Sequence, residues 1–584
     1  MFRTLLKSVR EYKLPSILAP LLVSCEVVIE CIIPMIIAEL VNRFGTAEGG
    51  FDIDGVYRYG AIVALLAILS LGFGAAAGVA CSRASCGFAR NLRRDMFHSV
   101  QSFSFENIDR FSTSSLVTRL TTDVANVQNA YMMIIRTAIR APFMLIFAIV
   151  MAFIMGGKMA WVFIGVVPIL GIGLAFVISR TMPLFRRVFK KYDKLNASVQ
   201  ENVKGMRVVK SFVREDYEKK KFGAASEEVC LDFTRAERIL ALNNPIMQIC
   251  LNIVMIFVLS VGSNMIISSG GEALNVGHLS ALLTYGFMIL SSLMMLSMIF
   301  VMITMATESG RRICEVLRES PTIVSPENPV CEVRDGSIEF SDVSFKYSEA
   351  AGRFALSDIN LSINSGETVG IIGGTGSSKS TLIQLICRLY DASLGVVKVG
   401  GVDVREYDLK TLRDKVAVVL QKNVLFSGTI AENLRWGNAE ATDEELRHAA
   451  HLAAADEFID SFPDGYNTYI EQGGANVSGG QKQRLCIARA LLKKPRILIL
   501  DDSTSAVDTR TDALIRAAMR EYIPETTKII IAQRIASVCD ADKIIVLDGG
   551  KIHAMGTHAS LMEDCEIYRE IYTSQNKAGD EDET

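Results

Sequence analysis

Long apolar runs dominate the first 307 residues and constrain the fold more than any other feature of the chain. A helix needs about 20 residues to cross the hydrocarbon core of a bilayer. The chain is 50% hydrophobic with a mean hydropathy of +0.30, which is too apolar for a soluble protein of 584 residues. We therefore predict a membrane protein with six transmembrane helices. The predicted spans are 15–41, 57–82, 137–156, 159–181, 245–268 and 279–305.

Lysine and arginine are distributed unevenly between the predicted loops. The N-terminal MFRTLLKSVREYK and the segment FRRVFKKYDK are basic, whereas the loops GTAEGGFDIDG and SSGGEALNVG contain acids and neither lysine nor arginine. Basic segments stay on the cytoplasmic side of a membrane, so six spans place both termini in the cytoplasm. Short external loops and the lack of a targeting presequence favour a bacterial cytoplasmic membrane.

The two predicted cytoplasmic connections, 83–136 and 182–243, have the composition of helices. No proline occurs between Pro34 and Pro142 or between Pro183 and Pro245, and helix-forming residues abound. A helix from Tyr57 to about residue 100 would be roughly 65 Å long at about 1.5 Å per residue. We therefore predict that the transmembrane helices continue far into the cytoplasm.

The second half of the chain changes character. Short β-rich runs such as ETVGIIG, RILILDD and KIIVLDGGKI alternate with helical patterns, which is typical of a mostly parallel sheet with helices on it. We predict a helical membrane domain at 1–320, an α/β nucleotide-binding domain at 336–575 and an acidic tail at 576–584, which we expect to be disordered. The net charge of −3 gives no reason to expect a nucleic-acid partner.

A phosphate-binding loop is indicated by GGTGSSKST, residues 373–381, which follows the apolar TVGII and precedes a helical pattern. Strand, glycine-rich loop and helix is the order that lets backbone N–H groups wrap phosphates, with Lys379 on the phosphate oxygens and Ser380 on Mg²⁺. Ser378 stands where the P-loop pattern has its second glycine. A simple glycine-rich linker is the alternative, and the strand ILILDD downstream argues against it.

The segment NVSGGQKQRLCIARALL, residues 476–492, resembles the signature motif of ATP-binding cassette (ABC) proteins. The order of all the motifs is similar to that family's nucleotide-binding domain, and the six predicted spans resemble an exporter-type half-transporter. FSTSSLVTRLTTDVANVQ and MRVVKSFVREDYEKKKF resemble its two intracellular coupling segments. The resemblance implies an α-helical six-span domain followed by an α/β P-loop cassette, with ATP and Mg²⁺ as cofactors.

The resemblance also implies roles for individual residues. Asp502, Gln533, Gln421 and Ser478 would serve catalysis, and Ser380, Gln421 and Asp501 would hold Mg²⁺. SAVD, which ends at Asp508, resembles the D-loop, and Tyr347 the aromatic that stacks on adenine. The residues implied for nucleotide binding are Tyr347, Gly373, Gly374, Thr375, Gly376, Ser377, Ser378, Lys379, Ser380, Thr381, Gly479, Gly480, Gln481 and Asp508.

Three departures from the family pattern fall on one site. Hydrolysing members have a glutamate where this chain has Asp502 and a histidine where it has Gln533, and Ser378 is the third departure. Asp502 is shorter by one methylene, a bond of about 1.5 Å, and a misplacement of about 1 Å can cost roughly 10²-fold in rate. Gln533 cannot become cationic. The alternative is that aspartate and glutamine are adequate substitutes.

With these three departures, the chain resembles the degenerate-site subunit of bacterial heterodimeric multidrug exporters, in which one ATP site hydrolyses ATP and the other mainly holds it. In that interpretation the chain exports amphipathic drugs, lipids or peptides by alternating access. Its intact signature motif, which in this family closes over ATP held by a second domain, then serves a different half-transporter that has the glutamate. A homodimeric exporter with slow hydrolysis remains open. So does a membrane gate or sensor that ATP regulates without pumping.

The substrate is predicted from side chains inside the spans. Glu26 and Glu30 lie one helical turn apart in the first span, where ionisable groups face a cavity or a partner. They either attract cationic substrates or pair with polar groups or with arginines such as Arg136 and Arg140 near the third span. Methionines of the sixth span, among them Met295 and Met298, suit an adaptable pocket or simply pack in the bundle.

Overall fold

A computed structural model of the chain describes residues 1–45, 53–270, 272, 274–348, 352–502 and 507–581. The chain divides into two compact units. The first contains Met1–Gln101 and Phe111–Glu319, and the second contains Ser102–Arg110 and Ser320–Thr584. The short segment Ser102–Arg110 therefore leaves the helical half of the sequence to join the second unit.

The first 320 residues form helices of very different lengths. The long ones continue well beyond the length of a membrane span, and helix α3 runs without a break for 50 residues, as the lack of proline in this region predicted. The helices are α1 (Phe2–Leu6), α2 (Lys13–Gly45), α3 (Ile53–Ser102), α4 (Phe105–Arg110), α5 (Thr113–Thr118), α6 (Val124–Gly156), α7 (Trp161–Lys204), α8 (Met206–Ser211), α9 (Glu215–Leu240), α10 (Asn243–Ser269) and α11 (Val276–Arg318).

The number of spans differs from the prediction. Five helical segments of the described residues are long and apolar enough to cross a membrane, not six. The predicted third and fourth spans both fall in one 73-residue segment, Thr113–Phe185, because only the short 3-10 turn Gly157–Ala160 separates α6 from α7. Gly157 there has a positive φ of 50°, which glycine adopts without strain. The five segments are Phe2–Arg43, Ile53–Ser102, Thr113–Phe185, Glu215–Ser269 and Val276–Arg318.

The core of the first unit forms where α6 packs against α2 and α11. Small side chains such as Ala148 and Ala152 are fully buried there, which lets the helices approach closely. The hydroxyl of the buried Tyr285 on α11 donates a 2.7 Å hydrogen bond to the Cys31 carbonyl on α2. The acceptor is a backbone carbonyl three residues before Pro34, a proline that lies inside α2.

The second unit contains two principal sheets. A six-stranded sheet has the order β12-β11-β3-β10-β9-β6 and is parallel except for the antiparallel pair β11 and β12. A four-stranded antiparallel sheet, β2-β1-β4-β5, packs against it across a shared hydrophobic core and was not foreseen. The strands are β1 (Ile338–Phe345), β2 (Leu356–Ile363), β3 (Thr368–Gly373), β4 (Leu394–Val399), β5 (Val402–Asp403), β6 (Val416–Val419), β7 (Gly428–Thr429), β8 (Tyr469–Ile470), β9 (Ile497–Asp501), β10 (Thr527–Ile531), β11 (Lys543–Asp548) and β12 (Lys551–Gly556).

Helices of the second unit cover the six-stranded sheet. All five residues of β9 are buried, and they alternate between two hydrophobic cores: Ile497 and Ile499 contact one core, Leu498 and Leu500 the other. A strand buried on both faces explains its continuous apolar run. The helices are α12 (Lys379–Ile386), α13 (Leu409–Lys415), α14 (Ile430–Arg435), α15 (Asp443–Leu452), α16 (Asp456–Ser461), α17 (Gly479–Leu492), α18 (Thr509–Tyr522), α19 (His558–Asp564) and α20 (Glu566–Glu581).

The acidic tail is helical further than predicted. Helix α20 continues to Glu581, so the expected disorder is wrong for the described part of the tail, and 582–584 lie outside the described residues. Its start is anchored because Tyr568 is fully buried. Once a helix is nucleated, each further residue adds a hydrogen bond at little cost.

Segment Ser102–Arg110, which contains α4, is held on the second unit by polar contacts. Asn107 Nδ2 donates to the Ser320 carbonyl at 3.2 Å, and the Ile323 amide donates to Ser104 Oγ at 2.9 Å. The segment lies just before the sequence that resembled the first intracellular coupling motif, which starts at Phe111. The segment that belongs to the second unit therefore lies immediately upstream of that motif.

Candidate functional site

The predicted catalytic residues lie where three neighbouring parallel strands end. Strand β10 pairs with β3 on one side and with β9 on the other, so their carboxyl ends meet at one edge of the sheet. Ile531 at the end of β10 lies opposite Asp501 at the end of β9. The Asp502 amide donates to the Ile531 carbonyl at 2.9 Å. Ligands of open α/β sheets bind outside this edge.

The loop after β3 has the backbone of a phosphate-binding loop. Gly376 has a φ of +84°, and added Cβ atoms at Gly374 and Gly376 would meet no atom within 4 Å. Ser378 has a φ of 69°, in the left-handed region, directly before helix α12. The glycine that this position has in the P-loop pattern is thus explained by backbone conformation, and Ser378 adopts it at a cost of about 1–2 kcal/mol.

Lys379 is folded back onto its own loop. Its Nζ donates to the carbonyls of Gly373 and Gly374 at 2.8 and 2.9 Å and to Ser377 Oγ at 3.3 Å. Burial lowers the pKa of Lys379, while the nearby carboxylates of Asp501 and Asp502 oppose that shift. The ammonium therefore lies among acceptors that a phosphate oxygen would replace.

Asp501 and Ser380 form the predicted metal-binding pair. The Ser380 hydroxyl donates to Asp501 Oδ2 at 2.9 Å. Asp501 is only 6% exposed, and burial raises the pKa of its carboxyl, with a further contribution from Asp502; Ser380 and Lys379 act in the opposite direction. A carboxylate and a hydroxyl side by side are hard oxygen ligands of the kind that Mg²⁺ prefers.

Asp502 accepts hydrogen bonds from two glutamines. Gln533 Nε2 donates to its Oδ2 at 2.9 Å, and Gln421 Nε2 donates to the same oxygen at 3.3 Å. Asp502 is 8% exposed and has a φ of 48°. The structure thus brings together three of the four residues that the resemblance assigned to catalysis, whereas the fourth, Ser478, caps a separate helix.

Gln575 supports this arrangement and was missed by sequence reasoning. Its Nε2 donates to the Gln533 carbonyl at 2.7 Å, and its Oε1 accepts from the Ile535 amide at 2.9 Å. The Gln575 side chain, on α20, thereby fixes the backbone on both sides of Arg534. No local signal in the sequence marks Gln575, because it lies 42 residues from Gln533.

Tyr347 lies above the start of α12. Its hydroxyl is 2.9 Å from Thr381 Oγ1 and donates to Gln384 Oε1 at 3.0 Å. The ring contacts Phe345 and Tyr390 edge to face, with centroids 4.9 and 5.3 Å away, and Tyr347 is 47% exposed. A half-exposed ring beside the phosphate loop is placed as an adenine-stacking residue requires.

The signature residues cap helix α17. Ser478 Oγ accepts from the Gln481 amide at 3.3 Å, and Gln481 Oε1 accepts from the Ser478 amide at 2.9 Å, forming a capping box ahead of Gly479 and Gly480. Asp508 caps α18 by accepting from the Thr511 amide at 2.9 Å, and this bond lowers the pKa of its carboxyl. Positions 505 and 506 of the predicted D-loop lie outside the described residues.

The intramembrane carboxylates pair with arginine. Arg140 on α6 donates to Glu26 Oε1 at 2.7 Å and to both oxygens of Glu30 at 2.8 and 2.7 Å. Of the two alternatives left open by the sequence, the pairing with arginine is therefore formed, through Arg140. Met295 and Met298 are 38% and 61% exposed in this chain and do not join these groups.

The residues present fit a magnesium nucleotide. The loop leaves open space at Gly374 and Gly376, Lys379 supplies a cation, and Ser380 and Asp501 supply oxygen ligands. ATP supplies the phosphoanhydride bond, and Mg²⁺ neutralises charge on its phosphates. Of the chain's own residues, Lys379 would orient the phosphates, and Asp502 lies at the same edge of the sheet.

Comparison with known proteins agrees with this architecture. The chain matches the family described as ABC transporter transmembrane region over residues 16–303 and the family described as ABC transporter over residues 356–505. It is 35% identical over 570 residues to the uncharacterized ABC transporter ATP-binding protein YfiB of Bacillus subtilis, covering 98% of each chain. It is 31% identical over 559 residues to the mitochondrial potassium channel ATP-binding subunit of Xenopus tropicalis, covering 94% of this chain and 80% of that protein.

A solved structure of a bacterial Atm1-family ABC exporter with ATP bound has the same fold. The TM-score is 0.83 at 24% identity, covering 97% of this chain and 98% of the other. The cassette uses ATP with Mg²⁺, and its ATP hydrolysis is coupled to transport. The chain therefore belongs to the ABC transporter family, with a transmembrane region and an ATP-binding cassette fused in one chain.

Proposed function

We propose that this chain is one half of a heterodimeric exporter of amphipathic small molecules, with a slowly hydrolysing ATP site of its own. Its signature motif, Ser478 to Gln481, then completes a competent site on a different half-transporter that has a glutamate at the position of Asp502. ATP binding brings the cassettes together, and hydrolysis at the competent site resets the pump. Drugs, lipids and peptides are the substrate classes of this proposal.

One observation carries the assignment of a slow site. Asp502 Oδ2 accepts from both Gln533 and Gln421, so an attacking water must displace an amide before it can reach this oxygen. The carboxylate is also one methylene shorter than a glutamate, about 1.5 Å. Gln533 offers a neutral amide where a histidine could carry a proton. Each feature reduces the ability of this site to position and deprotonate water.

The test is ATP turnover by the chain purified alone in lipid nanodiscs. We expect tight ATP binding with turnover far below the roughly 1–10 per second of a typical enzyme. The double variant Asp502→Glu, Gln533→His should raise turnover at least about 10-fold, a change of about 1.4 kcal/mol in the barrier.

Two controls belong to this experiment. Asp216→Glu with Gln200→His makes the same two kinds of change at exposed helical positions and should leave turnover unchanged. Lys379→Ala should abolish nucleotide binding. Brisk turnover by the unmodified chain would contradict the slow site and favour a homodimeric pump.

The proposal includes a location. The chain is then a multi-pass protein of a bacterial cytoplasmic membrane, with the cassette and both termini in the cytoplasm. This arrangement requires the segment Thr113–Phe185 to cross the membrane twice, once with α6 and once with α7. The support is the distribution of charge, because the basic N-terminal segment and FRRVFKKYDK flank apolar helices. Membrane lipids would surround the helices.

A second candidate is a membrane gate that ATP regulates without pumping. It is favoured by the relative from Xenopus tropicalis, whose name is mitochondrial potassium channel ATP-binding subunit. Uptake into inside-out vesicles separates the two functions. A pump requires hydrolysable ATP, whereas a gate responds equally to a non-hydrolysable analogue.

A further inference from the structure

Three charged groups that contact one another on α2 and α6 do not balance. Glu26 and Glu30 lie on α2 and share the single guanidinium of Arg140 on α6. With both carboxylates ionised, this charged triad has a net charge of −1. A net charge surrounded by apolar helices is costly and marks a functional position.

The structure shows where the imbalance lies. Glu26 is 8% exposed, and among the described residues its Oε2 has no hydrogen-bond partner. An added Cβ at Gly74 would lie 3.0 Å from Glu26 Oε1, so α3 closes over this carboxylate. Glu30 is more open, because 26% of its side chain is exposed. Its exposed side is the one that a ligand can reach.

A cavity of about 280 Å³ lies beside Glu30. Its apolar wall includes Ile33 and Ile37 on α2 and Met288 on α11. Thr284, also on this wall, donates its hydroxyl proton to the Ser280 carbonyl at 3.1 Å, so its oxygen faces a ligand only as an acceptor. The Glu30 carboxylate and the hydroxyl groups of Thr284 and Ser280, on an otherwise apolar wall, suit a cation with an apolar body.

We propose that this cavity binds a monovalent organic cation, such as a quaternary ammonium with an aromatic or aliphatic body. Glu30 makes the charge contact, and Glu26 and Arg140 position it. Arg140 selects for a single charge, because it already neutralises one of the two carboxylates and repels a dication. The inference deepens the proposed function by naming its substrate class, and it rests on that function only for the direction of transport.

The experiment compares two probes of the same shape. Phenyltrimethylammonium is a monocation, and tert-butylbenzene is its neutral isostere with carbon in place of nitrogen. Binding to the full chain in nanodiscs is measured calorimetrically without ATP, with empty nanodiscs subtracted. We expect the cation to bind at least about 10-fold more tightly than the isostere, equivalent to about 1.4 kcal/mol.

Variants assign the preference to the triad. Glu30→Gln should remove the roughly 10-fold preference and leave binding of the isostere unchanged, whereas Glu30→Asp should retain the preference. Glu39→Gln is the control. It removes another carboxylate of α2, one that pairs with Arg43 at 3.6 Å, and it should not change the cation preference. If Glu30→Gln does not fold, Glu26→Gln provides the same comparison, because it also brings the net charge of the triad to zero.

Two results would overturn the inference: equal affinity of the unmodified chain for both probes, or a full cation preference in Glu30→Gln. Vesicle uptake is tested separately with hydrolysable ATP in the Asp502→Glu, Gln533→His background, because the unmodified chain alone is expected to hydrolyse ATP too slowly to pump. Cation binding without uptake would refute the proposed function and leave the site standing. ATP-driven uptake of another substrate without cation binding would refute the site and leave the export function standing.

Discussion

Tyr390 donates a 2.5 Å hydrogen bond from its hydroxyl to Asp109 Oδ2, joining residues 281 positions apart. Asp109 belongs to segment Ser102–Arg110, and Tyr390 lies just after α12, the helix that follows the phosphate loop. The Tyr390 ring is also 5.3 Å from the ring of Tyr347. A single buried tyrosine thus contacts both the docked segment and the aromatic beside the phosphate loop.

Tyr390→Phe should loosen the docked segment without disturbing the aromatic cluster. The ring stays, but a hydrogen bond to a charged group, worth about 1.5–3 kcal/mol, is lost. We expect faster amide hydrogen exchange across Ser102–Arg110. Tyr407→Phe is the matched control, because that buried tyrosine donates to the Val399 carbonyl within the cassette; its effect should spare the segment. Unchanged exchange in Tyr390→Phe would show that the bond does not hold the segment.

The pKa of Tyr390 predicts that the stability of the protein depends on pH. Burial raises the pKa of the Tyr390 hydroxyl, and the hydrogen bond to Asp109 raises it further. The folded protein therefore retains this proton at pH values where the unfolded chain, with a tyrosine pKa of about 10, releases it. The free energy of unfolding should fall as the pH rises above about 10. Thermal unfolding between pH 9 and 11 should show a smaller decline in Tyr390→Phe than in the unmodified chain.

Ser378→Gly should stabilise the nucleotide-free protein. The substitution relieves the left-handed conformation of Ser378 (φ 69°), and part of that gain is offset by the greater freedom of glycine in the unfolded chain. We expect a net gain of about 0.5–1 kcal/mol, measured as a higher melting temperature. Gly376→Ala is the reciprocal control: its φ is +84° with open space around an added Cβ, so it should destabilise by strain alone. A lower melting temperature for Ser378→Gly would contradict the assignment of strain.

Asp501→Asn should raise the stability of the nucleotide-free protein and lower its ATP turnover. Burial raises the pKa of the Asp501 carboxyl, so the ionised form at neutral pH costs stability, and that cost disappears as the pH falls through the folded pKa. The variant should melt at a higher temperature than the unmodified chain without nucleotide. Its Mg²⁺-dependent ATP turnover, measured with a competent partner or in the Asp502→Glu, Gln533→His background, should fall by about 10²-fold or more. Retained turnover would remove Asp501 from the metal site.

Arg140→Met should destabilise the helical unit by about 3–5 kcal/mol, because two carboxylates lose their shared cation. The triple variant Glu26→Gln, Glu30→Gln, Arg140→Met should recover most of that loss, since it removes the charges together. Arg311→Met is the control, because its pairs with Glu308 and Glu315 are exposed and screened by solvent, so this variant should destabilise the helical unit far less than Arg140→Met. Failure of the triple variant to recover stability would show that Arg140 acts mainly through packing.

The catalytic motifs could be placed from sequence because each depends on local order. A buried strand that ends in Asp501 and Asp502, and a glycine-rich loop between a strand and a helix, are patterns within about ten residues. The number of spans was predicted less well. Hydropathy marks the apolar runs at 137–156 and 159–181, but the backbone at Gly157–Ala160 is one short turn, so these runs form one continuous segment.

The sequence by itself determined the order of the two halves, the position of the phosphate loop and the identity of the departures at Ser378, Asp502 and Gln533. Only the tertiary structure decided that Arg140 takes both carboxylates, that two glutamines meet on one oxygen of Asp502, and that Ser102–Arg110 docks on the cassette unit. The physical reason is the separation of the interacting residues along the chain. Periodicity and turn chemistry act over a few residues, whereas these contacts join side chains 31 to 281 positions apart, which only packing brings together.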